Sequence, residues 1–471
     1  MSRGSLVPPT PLERAGWTVA FLWHLRREIG LPWWPPGRLR RFQDRRARRM
    51  VHHAYRTVPF YRQAMDGLGL APRDLRTAAD LARLPLVGGE ELAADPAAFR
   101  SSAVTAGHTL EISTTGTCGL HKTVDLDRGA LVAAYAAGWR RHRVIGRLVG
   151  RSTGYRSLGF SPPGGTTPTL RAAWAALVWL PRRADLSRHP RSIAEPPEDA
   201  VAAINAVRPA TVGGFGSHLG MLFRWARDNG RALAAPKVVL YGGDTMSPAD
   251  RALIEEDFGI PVVAGYQACE ALRIGFQCER REGYHLFLDQ VHVRLVDEAG
   301  REVGPGERGE VVISNLVNRA TVLLNYRLGD LATLAVAACP CGRTLPTLES
   351  LAGRCDDHLL RPDGRPVHES LVLRRLYEVP GLVRLQVVQG GDTRRVTVNV
   401  VPAATACWPD LRDGLAAGVR ELLGAADAQV VVRRVRSIPT GPGGKIRFVR
   451  RLGPGSAPPE ADRTGCESRF P

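Results

Sequence analysis

Between Glu198 and Tyr266 the chain alternates helix-like stretches with short apolar runs, and few architectures accept that rhythm. Helix-like Glu198 to Val207 leads through Pro209 to strand-like Thr211 to Phe215. Helix-like His218 to Asn229, strand-like Lys237 to Tyr241, helix-like Pro248 to Phe258 and strand-like Pro261 to Tyr266 follow. Short apolar strands separated by helices build a largely parallel sheet covered on both faces, so the fold class is α/β. Ligands collect at the carboxyl ends of such strands. Those ends carry Tyr241-Gly242-Gly243-Asp244 and Gly265-Tyr266-Gln267-Ala268-Cys269-Glu270.

The texture changes along the chain. Residues 1–50 read as a Pro- and Trp-rich extended arm with one short amphipathic helix, then a basic helix over 38–50 whose apolar side packs on the body. Arg128 to Val149 has helical spacing, and Gly159 to Thr167 reads as a Gly/Pro loop suited to lining a cleft. Glu310 to Ser314 reads as a strand. After Gly353-Arg354-Cys355-Asp356-Asp357, strand-like Leu382 to Gln389, Arg395 to Val401 and Gln429 to Val435 surround helix-like Trp408 to Leu423, a second and smaller α+β unit. The domains expected are an arm and basic helix over 1–50, a large domain over 51–354, a small mobile domain over 355–452, and a disordered tail over 453–471.

A net charge of +18 invites a nucleic-acid or membrane partner. Only three of the 64 basic residues are lysine, Lys122, Lys237 and Lys445, and the 61 arginines are spread over the whole length. That scatter points to composition bias rather than a binding face. It also singles out the lysines, because a compact ammonium and a planar guanidinium do different chemistry. Eight cysteines in 471 residues do not make a secreted disulfide scaffold. With no signal-peptide pattern and no apolar run near the roughly 20 residues of a membrane span, a cytoplasmic protein is expected.

Lys122 closes the stretch Ile112-Ser113-Thr114-Thr115-Gly116-Thr117-Cys118-Gly119-Leu120-His121. Glycines let main-chain N–H groups face an anion, hydroxyls add donors and the lysine adds charge, which suits phosphate. The P-loop spacing fails here, and a plain polar hairpin is the alternative. Lys445 sits in a second glycine-rich run, Ile438-Pro439-Thr440-Gly441-Pro442-Gly443-Gly444-Lys445. A lone ammonium in such a loop is hard to explain as packing.

Taken in order, Thr115 to Gly119 with Lys122, Tyr266 with Glu270, Tyr326 through Asp330, Gly353-Arg354-x-Asp356-Asp357, and Pro439 through Lys445 resemble the adenylate-forming superfamily of acyl-CoA synthetases, adenylation domains and luciferases. Tyr55 to Tyr61 and Cys339-Pro340-Cys341-Gly342-Arg343 resemble its phenylacetate-CoA ligase branch, which includes capsular-polysaccharide-type relatives. The resemblance implies a large adenylation domain with layered, mostly parallel sheets and a small mobile C-terminal domain. It also implies ATP, Mg²⁺ and coenzyme A as partners of a small carboxylic acid, aryl or arylacetic by default. By resemblance, Thr115, Gly116, Thr117, Gly119 and Lys122 hold the β and γ phosphates, and Glu270 binds Mg²⁺. Tyr266, Gly242, Gly243 and Asp244 border adenine, Asp330 takes the ribose hydroxyls with Arg354 beside it, and Lys445 bridges carboxylate and α-phosphate. Asp356 is the hinge, and Phe215, Tyr241, Ala264 and residues 155–167 line the acid pocket. The sequence departs from the family at Cys118, His121, Gln267 and Cys269, which bears on the phosphate contacts and catalytic speed.

Cys278-x6-His285 and Cys339-x-Cys341 offer four soft or borderline ligands, enough for a closed tetrahedral Zn²⁺. The branch carries a similar set, so a structural zinc is expected, with buried thiols and a surface histidine as the alternative. The function expected is an AMP-forming carboxylate-CoA ligase. The alternatives are transfer of the acyl group to an amine or hydroxyl, a non-catalytic adenylate-binding scaffold, and a zinc-stapled nucleic-acid binder, against which the scattered arginines speak. A homodimer is allowed, but nothing in the sequence fixes the oligomeric state.

Overall fold

The computed structural model describes residues 6–105, 107–115, 121–179, 187–354, 358–403, 405–438 and 447–452. The chain divides into two compact units, one built from residues up to Ala352 and one from Gly353 onward.

The first unit is built on an eleven-stranded sheet. One half of it is a parallel ladder that runs in from the sheet edge, Ser187–Ser192, Arg156–Ser161, Thr211–Gly214, Val238–Gly242 and Val262–Tyr266, each paired in parallel with the next, and the last three are the predicted strands. Helices Pro197–Val207 and Gly216–Asp228 accompany these strands, and Leu219, Leu222 and Phe223 are buried in one cluster with Val212, Val239 and Val262. Burying a side chain of that size contributes about 1.5–3 kcal/mol, so this face alone fixes the register of helix on sheet. Beyond Val262–Tyr266 the sheet continues with antiparallel pairing to Gly275–Phe276 and from there to Tyr284–Leu286, which pairs with Thr347–Arg354. Tyr326–Leu334, Arg308–Asn315 and Val291–Val296 complete it. A separate antiparallel hairpin, Thr109–Thr115 with His121–Asp127, sets Thr114 opposite Lys122.

Several expectations need correction. The N-terminal arm is a helix of 18 residues, Pro11–Glu28, rather than a short one. Its start is a capping box in which Thr10 and Glu13 satisfy each other's backbone N–H, with proline at the first helical position. The basic helix runs from Pro36 to Thr57, and its buried residues Leu39, Gln43, Ala47, Met50, Val51 and Ala54 form one stripe. Gly159 to Thr167 is not one loop. Residues 156–161 are a strand, with Leu158 and Phe160 pointing into the core, and a helix begins at Thr166, which leaves only Pro162 to Gly165 between them. The helical stretch 128–149 breaks at Gly138 into Arg128–Ala137 and Trp139–Val149, and Pro248–Ala252 passes into a π turn over Leu253–Asp257.

The second unit has its own core. Leu382–Gln389 pairs antiparallel with Arg395–Pro402, Gln429–Arg434 and Val449–Arg451 add parallel edges, and helices Glu369–Leu376 and Trp408–Leu423 bury Leu373, Leu376, Leu411, Leu415 and Val419 with Leu385 and Val398. Among the described residues no helix is long and apolar enough to cross a membrane.

A buried ionic triad ties the N-terminal helix to the first unit. Arg140 lies 2.5 Å from Glu28 and 2.7 Å from Asp289, and all three are at most 3% exposed. The guanidinium and its cationic neighbours hold the Asp289 carboxyl well below its usual range despite burial. Removing Arg140 would leave Glu28 with Arg27 alone, at 3.4 Å, and Asp289 without its ion-pair partner in the core. Arg140→Leu is expected to destabilise the first unit by about 3–5 kcal/mol, read as a lower urea midpoint.

Candidate active site

Three groups meet at the carboxyl end of the sheet. Lys122, second residue of its hairpin strand, projects its Nζ to 2.8 Å from Glu270 Oε1 and donates to Tyr326 Oη at 3.2 Å, and Tyr326 Oη in turn donates to the same carboxylate oxygen at 3.4 Å. All three are buried, with Lys122 the most exposed at 9%. The surroundings hold the lysine in place, since a Cβ at Gly89 would come within 3.2 Å of its Cδ. Asn315 Nδ2 donates to the Glu270 main-chain oxygen at 2.9 Å, while its Oδ1 takes the N–H groups of Val317 and Asn318. An amide bonded through both its nitrogen and its oxygen therefore fixes where the carboxylate's backbone sits.

Tyr266 ends the strand Val262–Tyr266, and its hydroxyl donates to Asp330 Oδ2 at 2.7 Å. Gly242 and Gly243 are required by close approach: a Cβ on Gly242 would lie 2.8 Å from the Gly265 oxygen, and Gly243 has φ +89° with Phe215 Cε1 only 3.0 Å from its missing Cβ. The turn therefore leaves a smooth backbone surface. Asp244 accepts from Gly216 N–H at 2.5 Å and from Ser217, so it closes the N-terminus of helix Gly216–Asp228. That is a structural task for a residue expected to border adenine.

The structure thus brings together Lys122, Glu270, Tyr266 and Asp330. Gly116, Thr117, Gly119, Asp356 and Lys445 lie outside the described residues, as does the side chain of Thr115. Arg354 ends the strand Thr347–Arg354 and belongs to the second unit. Tyr326 and Asn315 were not singled out as site residues by the sequence. Tyr326 stood inside the quoted Tyr326-to-Asp330 run, whereas Asn315 carries no local signal because its partners lie far along the chain.

The expected metal ligands also converge. Cys278, His285, Cys339 and Cys341 place one donor atom each within 4.8 Å of one another. Cys278 Sγ is 3.8 Å from Cys339 Sγ, and Cys341 Sγ is 3.3 Å from His285 Nε2. Sulfurs on a tetrahedral zinc with bonds of about 2.3 Å stand roughly 3.8 Å apart, so the donor set fits. His285 Nδ1 lies 3.3 Å from both the Leu345 oxygen and Thr347 Oγ1, an orientation that leaves Nε2 for a metal. Burial lowers the imidazole pKa to about 4, so the ring is neutral, as a ligand must be.

A protein-family profile described as AMP-binding enzyme matches residues 108–318, the segment holding Lys122 and Glu270. Over 342 residues the chain is 29% identical to a phenylacetate-coenzyme A ligase of Thermus thermophilus, covering 69% of this chain and 72% of that protein. Over about two thirds of its length this chain is similar to phenylacetate-CoA ligases. A second relative of the same description, from Aromatoleum evansii, is 28% identical over 335 residues, 68% of this chain and 72% of the relative. Among solved structures, 2-hydroxyisobutyryl-CoA ligase in its postadenylation state superposes with a TM-score of 0.74 at 20% identity, over 89% of this chain and 90% of that one, which establishes the shared fold.

Proposed function

We propose that the chain uses ATP to convert a carboxylic acid, aryl or arylacetic by default, to an acyl-adenylate with release of pyrophosphate, and then passes the acyl group to coenzyme A. The observation that carries the reading is the buried Lys122–Glu270 pair beside the Tyr266–Asp330 hydrogen bond. Each partner of the pair suits one component of magnesium-bound ATP. The ammonium suits the β and γ phosphates, and the carboxylate suits Mg²⁺, a hard cation that one or two carboxylates and substrate phosphates commonly hold. In the protein alone the two charges neutralise each other. Binding of the nucleotide exchanges that contact for two stronger ones without leaving a buried charge unpaired at any stage. Bound Mg²⁺ would supply charge neutralisation of the phosphates.

On this reading Thr115, Gly116, Thr117 and Gly119 complete the phosphate grip, Gly242 and Gly243 give adenine a flat backbone surface with Tyr266 alongside, and Asp330 accepts the ribose hydroxyls with Arg354 nearby. Asp244 holds the turn through the helix it caps. Lys445 neutralises the α-phosphate and the attacking carboxylate, and Asp356 is the hinge for the thioester step. We assign Cys278, His285, Cys339 and Cys341 to a structural zinc that staples three separate segments and has no part in the chemistry.

Pyrophosphate release that depends on a carboxylic acid, followed by acyl-CoA formation when CoA is added, tests the reaction. Acyl-hydroxamate trapping without thioester formation would refute the CoA step. Lys445→Ala is expected to lower acyl-AMP formation by about 10²-fold or more, the size of one lost transition-state charge contact. Parent-rate adenylation in that variant would remove its assigned role. Lys122→Met should raise the KM for ATP more than that for the acid. For the metal, elemental analysis should find one zinc per chain, and a Cys339→Ser, Cys341→Ser double variant should lose it and melt at lower temperature.

A further inference from the structure

Two guanidinium groups at the same strand ends have no place in the reading above. Arg141, in the first turn of helix Trp139–Val149, donates through Nη2 to the main-chain oxygens of Tyr241 at 3.3 Å and Val263 at 3.2 Å. Arg273, three residues beyond Glu270, donates through Nε to the Ala134 oxygen at 2.6 Å. The turn that aims Arg273 holds Leu272 at φ +59°, a left-handed conformation that costs a non-glycine residue on the order of 1 kcal/mol. Two glycines make the room. A Cβ on Gly138 would fall 2.7 Å from the Arg273 guanidinium carbon, and one on Gly265 would fall 3.1 Å from Arg141 Nη1. Gly138 and Arg141 are one helical turn apart, so the two cations share one face of that helix.

Neither cation is neutralised. Among the described residues no carboxylate lies within ion-pair distance of Arg141 or Arg273, Arg141 Nε is buried without a hydrogen-bond partner, and no acceptor meets the terminal nitrogens of Arg273. Burial and then the repulsion from Arg273 lower the Arg141 pKa to about 10, and burial also lowers that of Arg273. The flanks are aromatic. Tyr135 lies beneath Arg273 at 5.9 Å and stacks on Trp174 at 4.7 Å, while Tyr241 and Tyr284 lie near Arg141. Like charges set together in a poorly hydrated place destabilise a fold unless an anion joins them. The reacting carboxylate and the phosphates are already provided for by the lysines of the proposed mechanism.

We propose that Arg141 and Arg273 form a subsite for a second acidic group of the substrate, so that the acid activated here carries another carboxylate or a comparable oxyanion besides the one that is adenylated. This rests on the carboxylate-activation reading and narrows its substrate class. Planar guanidinium forks suit a carboxylate, and the aromatic flanks suit a flat body between the two acidic ends.

The test compares phenylacetate, the three carboxyphenylacetate isomers and their carbamoyl counterparts on the purified full chain. Pyrophosphate release gives kcat/KM, and the shift in melting temperature in the presence of α,β-methylene-ATP reports binding without turnover. At least one dicarboxylate is expected to exceed phenylacetate by about tenfold or more in kcat/KM, the size of one charge-assisted hydrogen bond. Its carbamoyl counterpart should fall well below it. Arg141→Gln and Arg273→Gln should each bring the dicarboxylate-to-phenylacetate ratio to within about threefold of unity, and Arg273→Lys should retain part of the preference. If no acid is turned over, a melting shift given by a dicarboxylate, absent with phenylacetate and lost in Arg273→Gln, upholds the subsite while the activation reading fails. The subsite is overturned if wild-type protein handles phenylacetate as well as every dicarboxylate in both readouts. It is equally overturned if the variants change only the KM for ATP.

Discussion

One buried ion pair organises the site. Lys122 and Glu270 are 148 residues apart, sit on different elements and meet at 2.8 Å under a buried tyrosine. A charge pair in so dry a place persists only when its surroundings over-determine it. The hairpin supplies the lysine, the segment after Val262–Tyr266 supplies the glutamate, Tyr326–Leu334 supplies the tyrosine, and Asn315 anchors the glutamate's main chain. The antiparallel half of the sheet thereby acquires a task that the parallel half cannot perform alone. It carries Tyr326 and Asp330 to the carboxyl ends of the parallel strands.

Charge is handled in two contrasting ways within this unit. Arg140, Glu28 and Asp289 form a closed triad that holds the N-terminal helix and has no exposed face to offer a ligand. Lys122 with Glu270 is also closed, but on the proposed reading both partners would find substitutes in a metal-bound nucleotide. Arg141 and Arg273 lie at the opposite extreme, two half-buried cations in glycine-made room with no ion-paired acid among the described residues. Ordered in this way, the three clusters run from structural through exchangeable to open, and the degree of internal neutralisation follows each one's distance from ligand chemistry.

The cysteine and histidine cluster does a different kind of work. Its donors come from the segment after Gly275–Phe276, from the strand Tyr284–Leu286 and from the turn that precedes Thr347–Arg354, which joins pieces more than 50 residues apart at the middle of the sheet. Local propensity gives those short strands little stability, and on the proposed zinc reading one ion would cross-link them and hold the sheet's register.

The local code carried a great deal. The alternation of apolar runs and helical periods between 198 and 266, the bounds of Leu382–Gln389 and Trp408–Leu423, the lone lysines and the Cys-His set were all legible, because each depends on residues close together or on chemistry rare enough to stand out. Where the sequence misled, distant packing was the cause: Gly159 to Thr167 reads as a loop from its glycines and prolines, yet Leu158 and Phe160 pack against helices and strands more than 40 residues away, which makes part of it a strand. Tyr326, Asn315 and the Arg141–Arg273 pair were invisible for the same reason. An arginine among 61 is unremarkable in sequence, and only the folded chain decides which ones lose their water, find no carboxylate and face the strand ends, since burial and charge pairing are properties of neighbours that the sequence does not place side by side.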